Sequence, residues 1–315
     1  MLIKNFWSHN ARQLGTVIGL VGLVLIFWAW TPYFLTISNL LNIAQQTSIN
    51  AIIAVGLTFV IITAGIDLSV GSIMAFAGVV MASLLQADQP IYIAIILGLL
   101  VGAASGLVNG LLISYGKLPP FISTLGMMSV ARGAALLFTD GRPISGFSPE
   151  FRYIATGEIL YIPVPVIIMI VVYLIAHFVL TRTKLGRYTY AIGGNEEASL
   201  LSGINVKMMK TIVYSLSGML SGLAAVLLTA RLNSAQPIAG IMYELDAIAA
   251  AVIGGTSLMG GEGKISGTLI GALIMGVLRN GLNLLGVSSF IQQIVIGSVI
   301  IVAVLVDMAL KKGKN

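Results

Sequence analysis

The sequence contains no cysteine and only two histidines. Disulfides, thiolate metal sites and cysteine nucleophiles are therefore excluded. His9 and His177 lie far apart in the chain, so they form no nucleophile–base set. No carboxylate cluster suits a metal ion either. We therefore expect no catalytic residue, no metal site and no cofactor, and a membrane-embedded enzyme is the least favoured class.

Charged residues are also scarce, at 9% of the 315 residues, whereas hydrophobic residues make up 57% and the mean hydropathy is +1.01. A soluble domain carries about 25% charged residues. The composition predicts an all-α, polytopic membrane protein embedded in the lipid bilayer. The net charge of +6 could indicate nucleic acid as a partner, but the basic residues cluster between apolar runs. Membrane topology explains them better, and we expect no nucleic-acid partner.

Apolar segments predict about ten transmembrane helices, most of them near the ~20 residues that cross a bilayer. Their approximate ranges are 14–31, 47–63, 70–86, 91–114, 121–138, 160–181, 211–230, 243–258, 265–285 and 289–307. The third and eighth are short. With both termini in the cytoplasm, Lys and Arg concentrate in the inside loops, and only Arg142, Arg152 and Arg231 lie outside. This asymmetry supports the orientation, and we expect residues 1–315 to form a single transmembrane domain.

The loop 182–210 is the longest charged interval and is predicted to be cytoplasmic. It contains signals for a short helix. Gly193-Gly194 breaks the chain, Asn195 caps the helix, Glu196 and Glu197 suit its first turn, and Gly203 suits a left-handed stop. Ala198, Leu201 and Ile204 share one face. Because a helix of about two turns is marginal alone, we expect it to dock on a soluble partner. A helical connector packed on its own protein is the alternative.

On the other side, residues 139–160 form the longest extracytoplasmic loop, which is mixed in charge and rich in Gly and Pro. Salt bridges to an outside partner and a plain solvated loop are equally consistent with this composition.

Polar residues within or beside the apolar segments are candidates for a transport pathway or its gating. For Asp67 the favoured interpretation is a helix cap, and the alternative interpretation is a role in transport. Arg132 requires an acidic, carbonyl or water partner inside the membrane. The full candidate set is Asn50, Asp67, Arg132, Glu244, Asp246, Arg279, Asn280 and Asn283. The polar residues of the apolar segments as a whole are mainly Ser, Thr, Asn and Gln with few charges, which favours an uncharged, hydroxyl-rich solute.

The source of energy is not encoded in a nucleotide motif. The stretch GGTSLMGGEGKISG fails the Walker pattern, because Gly263-Lys264 is followed by Ile265. Energy must then come from an ion gradient or from a partner, and the docking helix favours a partner. NAIIAVG and DAIAAAVIGG faintly echo each other, which indicates a possible internal repeat.

Several stretches, taken together, resemble the membrane permease of ribose-type ABC importers, within the carbohydrate and branched-chain amino acid permease group. These stretches run nearly end to end: NLLNIAQQTSINAI, GIDLSVGS, LGRYTYAIGGNEEASLLSGI, RLNSAQPIAGIMYELDAIAA, GGTSLMGGEGKISGTLIGAL and NGLNLLGVSS. The resemblance implies a multi-pass protein of the bacterial plasma (inner) membrane that forms a homodimer. It also implies a cytoplasmic ABC ATP-binding subunit, typically two fused cassettes, and an extracytoplasmic sugar-binding protein.

The resemblance also implies a role for one segment. The stretch GGNEEASLLSGI is similar to the family's cytoplasmic coupling segment, so the expected ATPase-coupling residues are Gly194, Asn195, Glu196, Glu197, Ala198, Leu201 and Gly203. Ribose is the first expected sugar, and allose, xylose, galactose or a furanose signal stay open. The rival class is an ion-coupled secondary sugar transporter that works through Asp67, Arg132 or Arg279.

Overall fold

A computed structural model describes the backbone of residues 2–312 and the side chains of residues 14–305. Residues 1 and 313–315 lie outside the described part, so the predicted cytoplasmic location of the two termini stays a prediction. Within the described part the chain folds into thirteen helices: α1 Leu2–Trp30, α2 Ile37–Ile62, α3 Val70–Gln86, α4 Ile91–Ser114, α5 Pro120–Thr139, α6 Pro149–Thr156, α7 Val164–Arg182, α8 Lys184–Gly194, α9 Glu196–Leu201, α10 Val206–Leu232, α11 Tyr243–Ile253, α12 Ile265–Leu284 and α13 Ser289–Lys312.

Four two-residue strands complete the architecture. They are β1 Ile144–Ser145, β2 Glu158–Ile159, β3 Ile162–Pro163 and β4 Ser234–Ala235. They pair as two antiparallel ribbons, β1 with β4 and β2 with β3. The fold is therefore helical apart from these short ribbons, as the composition predicts.

Among residues 14–305, six helices are long and apolar enough to cross a membrane, namely α2, α4, α5, α7, α10 and α12. Shorter apolar helices cover Leu14–Trp30, Val70–Gln86 and Ser289–Leu305. These helices make the chain a polytopic membrane protein. Each predicted apolar segment overlaps one helix, and the count of ten crossings stays a prediction.

Two predicted boundaries are wrong. The second segment was expected from residue 47, but α2 begins at Ile37, where the Thr36 side chain accepts a hydrogen bond from the backbone N–H of Asn39. The polar residues that precede the apolar run thus lie inside a helix. The eighth segment was expected to reach residue 258, but α11 ends at Ile253. Its 11 residues span roughly 16 Å, about half of a bilayer core.

Helix α2 forms the centre of the protein. In its apolar window 83% of the residues are buried inside the protein, whereas only 22% are buried in that of α4. Helices α10 and α12 are also largely buried. The core therefore sits around α2, and the less buried helices α4, α5 and α7 form the periphery.

Helix α4 packs closely along α10 through a row of glycines. A Cβ atom added at Gly102 would lie 2.3 Å from the carbonyl oxygen of Gly218, and one added at Gly106 would lie 2.2 Å from that of Tyr214. Small residues let helix backbones approach in a membrane, where lipid is as apolar as the helix surface. The glycine spacing of four residues thus serves packing, as the sequence indicates.

The segment 139–160 is folded rather than a plain loop. It contains α6, whose first turn is capped by the Ser148 side chain, and Phe147 and Phe151 are buried with ring centroids 5.4 Å apart. Strand β1 joins it to β4, and the Asn233 side chain accepts a hydrogen bond from the Phe147 N–H at 2.9 Å. The segment is thus tied to the end of α10.

We predict that Gly106→Ala destabilises the protein because the new methyl group meets main-chain atoms that cannot rotate away. The expected loss is about 1–3 kcal/mol, typical of overpacking. Gly126→Ala on α5 is the matched control, since a Cβ there meets nothing within 4 Å. Thermal unfolding in detergent should show a lower midpoint for the first variant only, and equal midpoints would contradict the packing role.

Candidate functional site

A polar cavity of about 230 Å³ lies among α2, α10, α11 and α12. It is lined by side chains from all four helices: Gln46, Thr47 and Asn50 of α2, Arg231 of α10, Tyr243 and Asp246 of α11, and Ala272, Met275, Gly276, Arg279 and Asn283 of α12. Of the predicted pathway residues, the structure brings four together here: Asn50, Asp246, Arg279 and Asn283.

Helical periodicity explains why these residues share one cavity. Met275, Arg279 and Asn283 recur every four residues on α12, and Thr47 and Asn50 are three residues apart on α2, so each set lies on one helix face. A Cβ atom added at Gly276 would clash with the Thr47 hydroxyl oxygen. The glycine therefore leaves room for that hydroxyl at the wall of the cavity.

An ion pair joins α11 to α12 at the cavity. The Arg279 guanidinium donates to Asp246 Oδ2, and the Asp246 side chain is 3% exposed while that of Arg279 is 38% exposed. The partly exposed arginine thus compensates a buried carboxylate, which would otherwise be strongly unfavourable at this depth. The other carboxylate oxygen, Oδ1, has no hydrogen-bond partner.

Unpaired buried polar atoms concentrate at the cavity. Thr47 Oγ1, Asn50 Oδ1 and Asp246 Oδ1 are each buried without a hydrogen-bond partner, and all three residues line it. Buried polar atoms in folded proteins are nearly always hydrogen-bonded, so such exceptions require an explanation. Here they mark a surface with unused hydrogen-bonding capacity.

Asp67 lies elsewhere, in the non-helical segment 63–69 between α2 and α3. It is fully buried, and its Oδ1 accepts from the Ser69 N–H at 3.0 Å and from the Ser69 hydroxyl at 2.5 Å. Its Oδ2 accepts from the Ser217 hydroxyl of α10 at 3.0 Å. Asp67 is not the residue that caps α3, because the N-cap position is Ser69. Its carboxylate instead connects the segment to α10.

Neighbouring helices complete this network around Asp67. Asn109 of α4 donates to the Ser69 hydroxyl at 2.9 Å and accepts from Ser123 of α5. The hydroxyls of Thr124 and Tyr214 both donate to the Ile66 carbonyl oxygen. The Ile66 carbonyl oxygen is therefore satisfied by side chains from two helices, α5 and α10, and α4 joins the network through the Ser69 hydroxyl. Irregular backbone buried in a membrane protein requires such partners.

Arg132 and Glu244 also lie outside the cavity. The Arg132 guanidinium donates to the carbonyl oxygens of Pro237 at 2.6 Å and Ala239 at 2.8 Å. These carbonyl partners meet the requirement predicted for an intramembrane arginine. Arg132 thus fixes the segment that leads into α11, where Glu244 occupies the first turn.

Asn280 is turned away from the cavity. It forms a mutual side-chain amide pair with Asn39 of α2, with N–O distances of 3.0 and 2.9 Å, and it is 4% exposed. Asn283 lies at the cavity and accepts from the Gln292 side chain at 2.7 Å. Asn280 is therefore a structural contact between helices, and the sequence alone did not separate it from Asn283.

The charged segment 182–210 contains two helices rather than one. Helix α8 runs to Gly194, so Gly193-Gly194 does not break the chain, and the predicted break falls at Asn195 instead. A Cβ added at Gly193 would overlap the Ile62 carbonyl oxygen and lie 2.5 Å from the Gly261 nitrogen. The glycine is needed because α8 contacts the end of α2 and the loop after α11 through main chain.

Helix α9 has the predicted cap and stop. The Asn195 side chain accepts from the Ala198 N–H at 2.9 Å, Glu196 and Glu197 occupy the first turn, and Gly203 has φ +82°. Glu196 also pairs with Lys210 of α10 at 2.6 Å. These contacts anchor α9 to the start of α10.

Apolar side chains are exposed on α9 beside the two glutamates of its first turn. Leu201 is 85% exposed and Leu200 61%, whereas Ser199 is buried against the protein. Ala198 is exposed as well, and Ile204 is half-buried. Two large leucines on a six-residue helix thus face away from the protein rather than pack on it.

Within residues 14–305, no group of three or more His, Asp or Glu side chains could hold a metal ion. Residues that the site prediction missed are Gln46, Thr47, Arg231 and Tyr243, with the α12 residues Ala272, Met275 and Gly276. Thr47 had a usable signal, since it lies one helical turn before Asn50. Tyr243 had the same signal, since it lies three residues before Asp246 on α11. Arg231 had none, because it comes from α10, whose position relative to the other three helices the sequence does not state.

The architecture defines a class: a polytopic helical membrane protein with a polar cavity among its spanning helices and a short apolar helix projecting from a charged segment. The profile of a family described as the branched-chain amino acid transport system / permease component matches residues 39–304. Since this match covers most of the chain, the protein belongs to that permease family.

Individual relatives are similar over nearly their whole length. The ribose import permease protein of Haemophilus influenzae is 53% identical over 294 residues, which cover 92% of this chain and 91% of that protein. The ribose import permease protein of Bacillus subtilis is 53% identical, with 94% and 92% covered. The D-allose transport system permease protein of Escherichia coli is 44% identical, with 98% and 94% covered. No solved structure matches the chain.

We predict that Asp67→Asn keeps both folding and transport, because an amide preserves the acceptor for Ser69 and can pair with the Ser217 hydroxyl. Asp67→Ala should destabilise the protein by about 1–3 kcal/mol for each buried donor left unpaired. Thermal unfolding and uptake assays in vesicles measure the two effects. Loss of uptake by a normally stable Asp67→Asn variant would indicate an ion-coupling carboxylate and contradict the structural role.

Proposed function

We propose that this protein is the transmembrane subunit of an ATP-driven ABC importer that carries a monosaccharide, D-ribose first, across the bacterial inner membrane. The observation that carries the proposal is the 53% identity, over more than nine-tenths of each chain, to proteins named ribose import permeases. Relatives named for D-allose and xylose are more distant, at 44% and 35% identity. Ribose is therefore favoured over those sugars.

In this proposal ATP hydrolysis takes place in a partner subunit. The chain forms a homodimer that binds two fused nucleotide-binding cassettes in the cytoplasm and an extracytoplasmic sugar-binding protein. The support is family membership together with α9, which presents Leu200 and Leu201 to solvent on a basic segment. The coupling residues are those proposed from the sequence, Gly194 to Ala198, Leu201 and Gly203.

The proposed topology retains ten membrane segments in one domain, with both termini in the cytoplasm. Because α11 is too short to cross alone, its segment includes the loop 254–264, which reaches the end of α2: the Gly261 N–H donates to the Ile62 carbonyl oxygen at 2.9 Å. In this orientation the polar cavity opens in the outer half of the membrane and α9 lies in the cytoplasm. The internal repeat stays a prediction.

The ion-coupled alternative is disfavoured by the partners of its three candidate residues. Asp67 accepts from Ser69 and Ser217, and Arg132 donates to two backbone carbonyls. Arg279 is paired with Asp246. Groups that carry a coupling ion must change partners during transport, whereas the contacts of Asp67 and Arg132 hold non-helical backbone in place. Only the Asp246–Arg279 pair borders a cavity.

The test of the function is reconstitution of the chain in vesicles with its ATPase and binding protein. We expect uptake of D-ribose that requires ATP and the binding protein and that persists without an ion gradient. Uptake by the chain alone, driven by a proton or sodium gradient, would overturn the proposal.

The coupling role predicts that the double variant Glu196→Ala, Leu201→Ala lowers ATP-dependent uptake at least about tenfold, because it removes an exposed apolar contact at the proposed ATPase interface. The permease should stay folded, since exposed ion pairs such as Glu196–Lys210 contribute roughly 0–1 kcal/mol. Leu160→Ala is the matched control, because Leu160 is 87% exposed in the segment on the opposite side. Normal uptake with normal ATPase assembly in the double variant would exclude the role.

A further inference from the structure

The cavity among α2, α10, α11 and α12 differs from the other polar clusters described above. Around Asp67, Arg132 and Asn280, buried polar groups pair with protein atoms. At the cavity, Thr47 Oγ1 and Asp246 Oδ1 have no partner although these residues are only 4% and 2% exposed. Asn50 Oδ1 is unpaired as well. Three of the five unpaired buried side-chain atoms among the described residues thus belong to residues of this one cavity, and the cavity has room for a ligand; the other two, Ser114 Oγ and Thr256 Oγ1, lie elsewhere.

We propose that this cavity is a binding site within a single permease subunit for a neutral polyol of monosaccharide size. The ligand's hydroxyls donate to Asp246 Oδ1 and Asn50 Oδ1 and exchange a hydrogen bond with the Thr47 hydroxyl. The inference rests on the proposed function and deepens it, because it assigns the residues that recognise the sugar inside the membrane.

The chemistry of the unpaired atoms selects the ligand class. Carboxylate and amide oxygens only accept hydrogen bonds, so their partner must be a donor. A polyol supplies several hydroxyl donors, whereas an ionised carboxylate or phosphate group only accepts hydrogen bonds and supplies no donor to Asp246 Oδ1 or Asn50 Oδ1. A metal cation is disfavoured too, since Arg231 and Arg279 give the cavity two positive charges against the one negative charge of Asp246.

The ion pair holds the acceptor in position. Arg279 binds Asp246 Oδ2, which leaves Oδ1 as the free oxygen. A carboxylate with one oxygen fixed by an arginine presents the other in a defined direction, which favours specific recognition.

The size of the cavity limits the ligand. Its volume of about 230 Å³ is below the ~300–1,000 Å³ of typical drug-sized sites. A single sugar ring suits this space and an oligosaccharide does not. Gly276 leaves the place that the Thr47 hydroxyl occupies at the cavity wall, because a Cβ atom there would overlap that hydroxyl.

The absence of cysteine from the native chain permits a direct test. Asn283 lies at the cavity and is exposed, so Asn283→Cys introduces a single thiol at its rim. The variant is assembled with its ATPase subunits in nanodiscs, and its modification by a water-soluble methanethiosulfonate reagent is timed with and without ATP. We expect D-ribose to slow modification at least about threefold in one of the two conditions. Leu160→Cys, at an exposed residue that does not line the cavity, is the control that ribose should leave unaffected.

Two further substitutions, each combined with Asn283→Cys, assign the binding groups. Thr47→Val removes the hydroxyl at nearly constant side-chain shape. Asp246→Asn exchanges the negatively charged carboxylate for a neutral amide. Each should raise the ribose concentration needed for protection at least about fivefold. Because Asp246→Asn can impair folding through the loss of the ion pair, Thr47→Val provides an independent test. Undiminished protection in both variants would overturn the assignment.

The same preparations separate failure of this inference from failure of the proposed function. ATP-dependent ribose uptake by the native importer without any ribose protection of Asn283→Cys would reject the site and leave the function standing. Absence of ribose uptake by the native importer would reject the function, and the inference with it. Protection by D-ribonate in place of D-ribose would show that the site takes a sugar acid and would overturn the neutral class.

Discussion

A non-helical segment buried in an apolar protein is the constraint on which much of this structure depends. Residues 63–69 interrupt the path from α2 to α3, and their polar groups have no lipid or water to pair with at membrane depth. Asp67 and Ile66 are therefore bonded by Ser217 and Tyr214 of α10 and by Thr124 of α5, with Asn109 of α4 closing the network through Ser69. These bonds fix how α3, α4, α5 and α10 sit around α2. Glycines then allow the close approach of α4 to α10 that the network requires.

The polar residues of the spanning region fall into two groups with different consequences. Asp67, Arg132 and Asn280 pair with other protein groups and hold irregular backbone or helix pairs in place. Asn50 and Asp246 retain free acceptor oxygens beside a cavity. Removing a member of the first group leaves buried partners unsatisfied and lowers stability. Asn50 Oδ1 has no protein partner, so its loss costs the fold little and its presence is better explained by what the cavity binds. Asp246 combines both properties, because its other oxygen pairs with Arg279.

The sequence predicted the helical membrane class and the cap of α9, because hydropathy, Asn195, Glu196 and Gly203 act locally. It also identified Asn50, Asp246, Arg279 and Asn283 as polar residues in apolar surroundings. It could not show that these four meet while Asp67, Arg132 and Asn280 do not, since that depends on how α2 packs against α11 and α12, which lie far from it in the sequence. The role of Gly193 was missed because it too depends on packing between distant segments. The sequence indicated a helix break at Gly193, whereas in the structure this residue allows close contact between main chains.

That contact at Gly193 also affects how the molecule can deform. Side chains at an interface can change rotamer and so accommodate a small displacement. A contact between main-chain atoms has no rotamers and cannot accommodate one in this way. Here α8 meets the carbonyl oxygen of Ile62 and the nitrogen of Gly261 without an intervening side chain. The Gly261 N–H in turn donates to that same carbonyl oxygen. We therefore expect the junction to be rigid, so that a displacement of α8 would move the end of α2 and the loop after α11 together with it.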